Sequence, residues 1–352
     1  ASIPESVVGS DEHRALARQA ALESIVLLKN KSGLLPLRDI HKLYVTGPTA
    51  SNLEVLLGNY YGLNGALTTL LEGIVGRVPE GVRLEYRPGV QLLHESPSKA
   101  EWIAKEAAAA DVAIACVGVT PLMEGEEGEA LASETNGDRT EIGLPAVQVE
   151  FVRRLAAAGG RVVLVVTGGC PVALGDLVDL VDAILFVWYP GQEGGRAVAD
   201  VIFGDASPSG RLPLTFPTGL EQLPPFEDYG MAGRTYRYLT QDPLFPFGFG
   251  LSYSSFAYSD LRCIVDGVAV DVSATVTNTG SVAADEVAQC YLSDLAASAP
   301  VPQHKLVAFE RVHLEPGERR DLRFRLGVEA LQFIDEAGQA MLEPGEFRVV
   351  VG

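Results

Sequence analysis

The sequence predicts an α/β sandwich, a mostly parallel sheet with helices on both faces, followed by an all-β sandwich. In the first part of the chain, short runs that are apolar throughout alternate with segments of helical periodicity, which is typical of a parallel sheet covered on both faces. From residue 256 onward the period is two and turn residues recur at short intervals, which is typical of a β-sandwich. We therefore expect two domains of different architecture.

Length and composition agree with this prediction and exclude some classes of function. A chain of 352 residues favours two domains, and an apolar fraction of 47% is enough for two cores. The formal net charge of −19 argues against nucleic acid as a partner, because phosphate binding needs a basic surface. No run of 18 apolar residues occurs, so we predict no membrane-spanning segment.

The elements of the first domain are predicted from periodicity. A helix is expected over 11–28, with acids in its first turn, and Pro145 suits the first turn of another helix. Further helices are expected over 98–110, 144–158 and 195–203, and strands over 42–46, 82–86, 111–119, 161–167 and 183–188.

The composition changes after the last of these helices. Residues 211–225 are rich in Pro and Leu, and residues 234–253 are dense in aromatics, Pro and Gly, which favours irregular extended chain. The predicted boundaries are 1–217 for the α/β domain, 218–253 for a linker and 254–352 for the β-sandwich. Strands of the sandwich are expected over 268–278, 286–292, 305–314, 321–326 and 346–351, with a turn at 278–280.

The cysteines and histidines predict no metal site. No C-x-x-C spacing occurs, and the five His residues are scattered. Cys116 lies in an apolar strand-like run and is expected to be a small buried side chain. A disulfide between Cys263 and Cys290 is left open.

An acidic segment, EGEEGEALASETNGDR (124–139), begins just beyond the predicted strand 111–119. Ligands of parallel sheets gather at the carboxyl ends of strands, so this segment lies where chemistry is expected. In extended chain Glu124 and Glu126 point the same way, and neighbouring carboxylates raise the pKa of a general acid. Glu134 is a weaker candidate acid. The alternative is a solvated acidic loop, which is the commoner meaning of a run of like charges.

Two other motifs receive structural interpretations from the sequence. Asp138 and Arg139 close the acidic segment and are expected to form a structural ion pair that anchors its far end. The stretch WYPGQEGG (188–195) is interpreted as a turn from a strand into a helix, with an aromatic core residue. It lacks the glycine order of a dinucleotide site and the Lys of a P-loop.

Four ordered stretches resemble the C-terminal portion of glycoside hydrolase family 3, the β-glucosidase and β-xylosidase family. They are ALESIVLLKNKSGLLPL (21–37), WYPGQEGGRAVADVIFGDASPSGRLPLTFP (188–217), PLFPFGFGLSYSSFAYS (243–259) and NTGSVAADEVAQCYLSD (278–294) with KLVAFERVHLEPGE (305–318). The resemblance implies a six-stranded α/β sandwich and a fibronectin type III-like domain. It also implies retaining hydrolysis of β-linked glycosides without a metal or an organic cofactor.

The same resemblance implies roles for individual residues. Glu124-Gly125-Glu126 matches the acidic triplet of the family, which makes Glu126 the acid/base and Glu124 its neighbour, with Asp138-Arg139 matching the D-R of the family. The stretch E-T-N-G-D at 134–138 resembles a second pattern in the family, so Glu134 is the runner-up. The nucleophilic Asp of the family lies in an N-terminal TIM-type barrel, which these 352 residues do not contain.

We therefore expect the chain to be the acid-supplying part of a longer β-glycosidase, inactive alone. The expected partners are a β-linked oligosaccharide or glycoside and the barrel, in cis or in trans, and the β-sandwich is a candidate homodimer contact. A secreted or periplasmic location is favoured. The alternative from another class is a non-catalytic carbohydrate-binding or assembly module.

Overall fold

The computed structural model describes residues 4–59, 61–62, 64–96, 100–124, 137 and 139–352. The chain divides into two compact units. The first consists of residues 1–212, 216–222 and 249–251, and the second of residues 213–215, 223–248 and 252–352. The predicted linker at 218–253 is thus divided between the two units, and its independence stays a prediction.

The first unit is built on a six-stranded mixed sheet. Five strands are parallel to their neighbours, and β1 is antiparallel to β6. The strand order is β1-β6-β5-β4-β2-β3. The strands are β1 (Val26–Asn30), β2 (Lys42–Thr46), β3 (Arg83–Arg87), β4 (Val112–Gly118), β5 (Val162–Thr167) and β6 (Ala183–Trp188).

Helices pack on this sheet in two groups, with α1 and α2 against α7, and α3 against α5. Their amphipathic faces contribute to the core together with β4 and β5, in which every residue is buried. The helices are α1 (Asp11–Ser24), α2 (Leu70–Arg77), α3 (Ala100–Ala108), α4 (Pro121–Glu124), α5 (Ala146–Ala157), α6 (Leu177–Leu180) and α7 (Gly194–Phe203). The predicted α/β class is confirmed.

The predicted first helix, 11–28, is too long. It ends at Ser24, and Val26–Asn30 form an edge strand instead. The reason is that Val26–Asn30 pair with β6 at the edge of the sheet, where residues 25–28 are all buried.

Helix α2 has no counterpart in the prediction, although the sequence carries a start signal for it. Thr69 accepts a hydrogen bond from the backbone N–H of Glu72, and the Glu72 carboxylate accepts one from the backbone N–H of Thr69. This reciprocal capping box is visible in the sequence as T-x-x-E before the helix.

The second unit contains an all-β sandwich, as predicted. Its two antiparallel sheets have the orders β11-β8-β7 and β10-β9-β14, and β12 and β13 form a separate hairpin. Its elements are α8 (Thr235–Tyr238), β7 (Phe256–Asp266), β8 (Ala269–Asn278), β9 (Ala284–Asp294), β10 (Lys305–Leu314), β11 (Arg319–Leu326), α9 (Val328–Leu331), β12 (Phe333–Ile334), β13 (Ala340–Met341) and β14 (Phe347–Val351).

The predicted turn at 278–280 is organised by one buried side chain. The Asn278 amide donates to the carbonyls of Val282 and Leu314, each at 2.9 Å, and its oxygen accepts from Ser254 and from the backbone N–H of Gly280. All the hydrogen-bonding capacity of this amide is therefore used, which explains why Asn278 is tolerated at zero exposure.

All four cysteines are free thiols. Cys116 is buried as predicted, and burial raises the pKa of its thiol to about 12. Cys290 is also buried, Cys170 is half-buried and Cys263 is exposed, so the bridge left open by the sequence is not formed. Within the described part of the chain, no helix is long and apolar enough to cross a membrane.

Candidate functional site

Three neighbouring parallel strands, β4, β5 and β6, end at the same edge of the sheet, at Gly118, Thr167 and Trp188. The segment after each strand carries polar groups to that edge. They are Glu124 after β4, Gly169 and Cys170 after β5, and Tyr189 after β6. This edge is where a parallel sheet presents its ligand-binding groups.

The Glu124 carboxylate is the centre of this cluster. Its Oε2 accepts hydrogen bonds from the backbone N–H of Gly169 at 3.0 Å and from the Tyr189 hydroxyl. Its Oε1 accepts from the Cys170 thiol at 2.7 Å and lies 3.4 Å from Nη2 of Arg139. Oε2 thus accepts two hydrogen bonds, and Oε1 accepts one and forms an ion pair with Arg139.

Arg139 joins the other end of the acidic segment to the same cluster. Its Nη2 lies 2.8 Å from the sulfur of Cys170 and its Nη1 donates to the carbonyl of Gly143 at 3.5 Å. The side chains of Arg139 and Glu124 are only 12% and 14% exposed, so solvent screens their attraction weakly. The segment 124–139 is thus held at both ends by one ion pair.

A buried glutamine fixes the strand end from which the segment departs. Gln148, on α5, accepts from the backbone N–H of Gly118 at 2.8 Å and donates to the Gly118 carbonyl at 2.9 Å. It also donates to the Leu92 carbonyl at 2.9 Å, and it is fully buried. Buried hydrogen bonds therefore fix the end of β4 relative to α5. They also fix the point from which the acidic segment starts.

The turn after β6 aims Tyr189 at Glu124. Trp188 has a left-handed φ of 57°, and a register shift occurs where Thr167 pairs with Trp188. The Trp188 indole donates to the Ser24 carbonyl at 2.9 Å and its ring meets Phe186 edge-on, so surrounding contacts hold this unusual backbone.

Gly169 allows the close approach of these groups. A Cβ at this position would lie 2.9 Å from the Glu124 carboxylate and 2.9 Å from the Tyr189 ring. A larger residue would therefore push the turn after β5 away from the carboxylate.

Burial and the adjacent carboxylate keep the two side-chain donors protonated. Burial, followed by the hydrogen bond to Glu124, raises the pKa of the Cys170 thiol to about 11. The same causes raise the pKa of Tyr189 well above its ordinary value. Both groups therefore remain neutral hydrogen-bond donors at neutral pH.

The predicted site residues are only partly described by the structure. Glu126, Glu134 and Asp138 lie outside the described residues, so their roles stay predictions. Glu124 and Arg139 are brought together, and the described partners of Arg139 are Glu124, Cys170 and Gly143.

Sequence reasoning missed the participation of Cys170 and Tyr189. Their signal was available, because each lies within three residues of the end of a predicted strand of the same parallel sheet. The stretch WYPGQEGG was interpreted only as a structural turn. It forms that turn and also supplies the Tyr189 hydroxyl to Glu124. Among the described residues, no cluster of His, Cys, Asp and Glu could hold a metal ion.

The architecture defines the class first. An α/β domain with an anchored acidic segment at its carboxyl edge, followed by a fibronectin type III-like sandwich, is the arrangement that the sequence motifs associate with β-glycosidases. Residues 25–253 match the model of the glycosyl hydrolase family 3 C-terminal domain, and residues 286–352 match a fibronectin type III-like domain. The chain belongs to glycoside hydrolase family 3.

Curated relatives agree with this assignment. A periplasmic beta-glucosidase of Salmonella typhimurium is 35% identical over 97% of this chain and 48% of its own length. A beta-xylosidase of Formosa agariphila is 36% identical over 98% of this chain and 49% of its own length. The chain thus spans about half the length of the curated relatives that it matches.

Solved structures show the same fold. The family 3 beta-glucosidase of Bifidobacterium adolescentis superposes with a TM-score of 0.87 at 33% identity, covering 100% of this chain and 53% of that one. A beta-glucosidase from Erythrobacter marinus gives a TM-score of 0.86 at 33% identity, covering 99% of this chain and 50% of that one.

Proposed function

We propose that this chain supplies the general acid/base of a retaining β-glycosidase that hydrolyses terminal β-linked sugars, with Glu126 in that role. The observation that carries the proposal is the anchoring of Glu124 at the carboxyl edge of the sheet by groups that follow β5 and β6. We place the nucleophilic carboxylate on polypeptide outside these 352 residues.

The distance along the chain favours Glu126 over Glu134. Two residues span at most about 7 Å of backbone, so the anchored Glu124 restricts the positions that Glu126 can reach. Glu134 is ten residues from Glu124 and five from Arg139, and is therefore restricted much less. A proton donor must be held within hydrogen-bonding reach of its target, which a short tether to a fixed point makes easier.

In the proposed reaction the nucleophile attacks the anomeric carbon, and the bond from that carbon to the leaving oxygen breaks. Glu126 gives its proton to the leaving oxygen in the same step. Water then attacks the anomeric carbon, its proton passes to the Glu126 carboxylate, and the nucleophile is released. Each residue returns to its starting protonation state.

The test uses Glu126→Gln in an active enzyme that contains this chain, with aryl β-glucosides and β-xylosides whose leaving groups differ in pKa. We expect kcat/KM to fall about 10²–10⁴-fold for poor leaving groups and little for dinitrophenolate, which leaves without protonation. Azide should accelerate turnover of the dinitrophenyl substrate and give a β-glycosyl azide.

Glu134→Gln is the matched control, because it removes a carboxyl group from the same segment. It should leave the dependence on the leaving group unchanged. If Glu134→Gln selectively slows substrates with poor leaving groups and Glu126→Gln does not, the assignment to Glu126 is wrong. If neither variant shows this selective slowing, neither Glu126 nor Glu134 is the general acid.

The relatives also suggest where the enzyme that contains this chain acts. A relative of this chain is a periplasmic beta-glucosidase, and we infer a secreted or periplasmic site of action for the enzyme that contains this chain.

A further inference from the structure

We propose that Tyr189 and Cys170 are positioning residues that act through Glu124, fixing its carboxylate so that the acid two residues downstream meets the leaving oxygen. This inference rests on the proposed function and extends it. It assigns a mechanistic role to the turns after β5 and β6, which carry no expected catalytic group of their own.

The geometry shows a carboxylate held from three directions. The Tyr189 hydroxyl comes from the turn after β6, the Cys170 thiol and the Gly169 N–H come from the turn after β5, and the Arg139 guanidinium comes from the far end of the acidic segment. Three strands of one rigid sheet therefore determine the position of Glu124. A loop anchored to one strand alone would leave that position free to vary.

Each supporting turn is shaped for this contact. The left-handed backbone at Trp188 directs the chain so that Tyr189 reaches Glu124, and the missing Cβ at Gly169 makes room for both. A structural ion pair would need only Arg139. The hydroxyl and thiol bonds to the same carboxylate fix its orientation as well as its presence.

The consequence for catalysis is specific. A misplaced general acid slows only those substrates whose leaving group needs a proton, because proton transfer requires hydrogen-bonding distance in the transition state. Loss of folding stability lowers the amount of active enzyme and affects all substrates equally. The dependence on the leaving group therefore separates positioning from a merely structural role.

The experiment compares Tyr189→Phe, Cys170→Ala and Cys170→Ser in an active enzyme that contains this chain. Tyr189→Phe keeps the ring and removes the hydroxyl donor. We expect it and Cys170→Ala to lower kcat/KM about tenfold for poor leaving groups and less than twofold for dinitrophenyl glycosides. Cys170→Ser restores a donor to the carboxylate and should recover most of the loss.

Tyr44→Phe is the matched control. The Tyr44 hydroxyl donates to the Glu106 carboxylate at 3.1 Å, so this variant removes the same kind of bond in the same unit but between β2 and α3. It should not change the dependence on the leaving group. Equal losses for good and poor leaving groups in Tyr189→Phe would overturn the positioning role.

A second readout uses the 352-residue chain itself and requires no turnover. Hydrogen exchange in Tyr189→Phe should be faster at residues 119–124 and 139–143 than in Tyr44→Phe. Unchanged exchange there would also contradict the proposal.

Glu126→Gln, measured alongside, separates the two hypotheses. If Glu126→Gln shows the dependence on the leaving group and Tyr189→Phe does not, the positioning role fails while the proposed function stands. If Glu126→Gln does not selectively slow substrates with poor leaving groups, the proposed role of Glu126 is wrong, whatever Tyr189→Phe shows.

Discussion

At the residue scale, the described part of the site is organised by the Glu124 carboxylate, both of whose oxygens have polar partners. Sequence reasoning treated Glu124 only as a charged neighbour of the acid. In the structure it contacts the turns after two other strands and Arg139. The contribution that we propose for Glu124 is therefore geometric, and its partners can be tested one by one.

The raised pKa of Cys170 gives a prediction about its reactivity. Only the thiolate reacts with iodoacetamide, and a thiol with a pKa of about 11 is largely protonated at pH 8.5. We expect Cys170 to be alkylated about 100-fold more slowly than an unperturbed thiol, with a rate that rises as the pH increases through about 11.

Pulsed labelling followed by peptide mass spectrometry measures this rate. A model peptide with one cysteine is the reference, because burial also raises the pKa of Cys263. Labelling of Cys170 as fast as the peptide at pH 8.5 would contradict the described environment of the thiol.

At the scale of elements, a buried side chain connects helix α5 to the end of β4. Gln148 hydrogen-bonds both backbone groups of Gly118 and the Leu92 carbonyl. The sequence predicted this helix and this strand within one or two residues at each end, but nothing in the sequence showed that Gln148 joins them. Gln148 lies on the buried face of amphipathic helix α5. Its role can be recognised only when it is known which face of the helix packs against the sheet.

Gln148→Leu should destabilise the first unit by about 3 kcal/mol, because it leaves one buried N–H and two carbonyls without this partner. Urea denaturation followed by circular dichroism measures the change. Gln19→Leu on α1 is the control, since Gln19 is exposed and donates to the side chain of Glu23 on the same helix. Its effect should stay within about 0.5 kcal/mol, and an equal effect of both variants would show that the Gly118 contacts contribute nothing.

Also at this scale, the incorrect prediction of a helix through residues 25–28 shows the limit of local sequence patterns. Residues 11–28 read as one helix because their apolar spacing is helical at the start. The chain leaves the helix at Ile25 because the edge of the sheet beside β6 offers a partner for an extended strand. Pairing with a strand about 160 residues away outweighs local propensity there.

At the scale of the whole molecule, the chain spans about half the length of the relatives described above. The proposed mechanism needs two carboxyl groups, and only the acid is proposed to lie in these residues. Of the acidic segment, the structure places Glu124 and Arg139 together at one edge of the sheet, which agrees with this proposal.

We therefore expect the 352 residues alone to show no measurable hydrolysis of aryl β-glucosides or β-xylosides. An extended polypeptide that also carries the region corresponding to the unmatched half of the relatives should hydrolyse one of them. Normal turnover by the 352 residues alone would overturn the proposed division of roles.

The same preparation tests the competing carbohydrate-binding function. Titration calorimetry with xylobiose and cellobiose measures binding to the 352 residues. Saturable binding that persists in Glu126→Gln, with no turnover by the extended polypeptide, would favour a non-catalytic module.

The sequence by itself determined the two architectures, most element boundaries and the place of the acidic segment. Periodicity records which side of an element faces the core, and parallel strands place their carboxyl ends at one edge. Only the tertiary structure decided which side chains meet there. Cys170 and Tyr189 lie 46 and 65 positions after Glu124, and no local pattern encodes contacts over such separations. Those contacts arise when the β4, β5 and β6 strands align in one sheet and bring the residues after them within hydrogen-bonding distance.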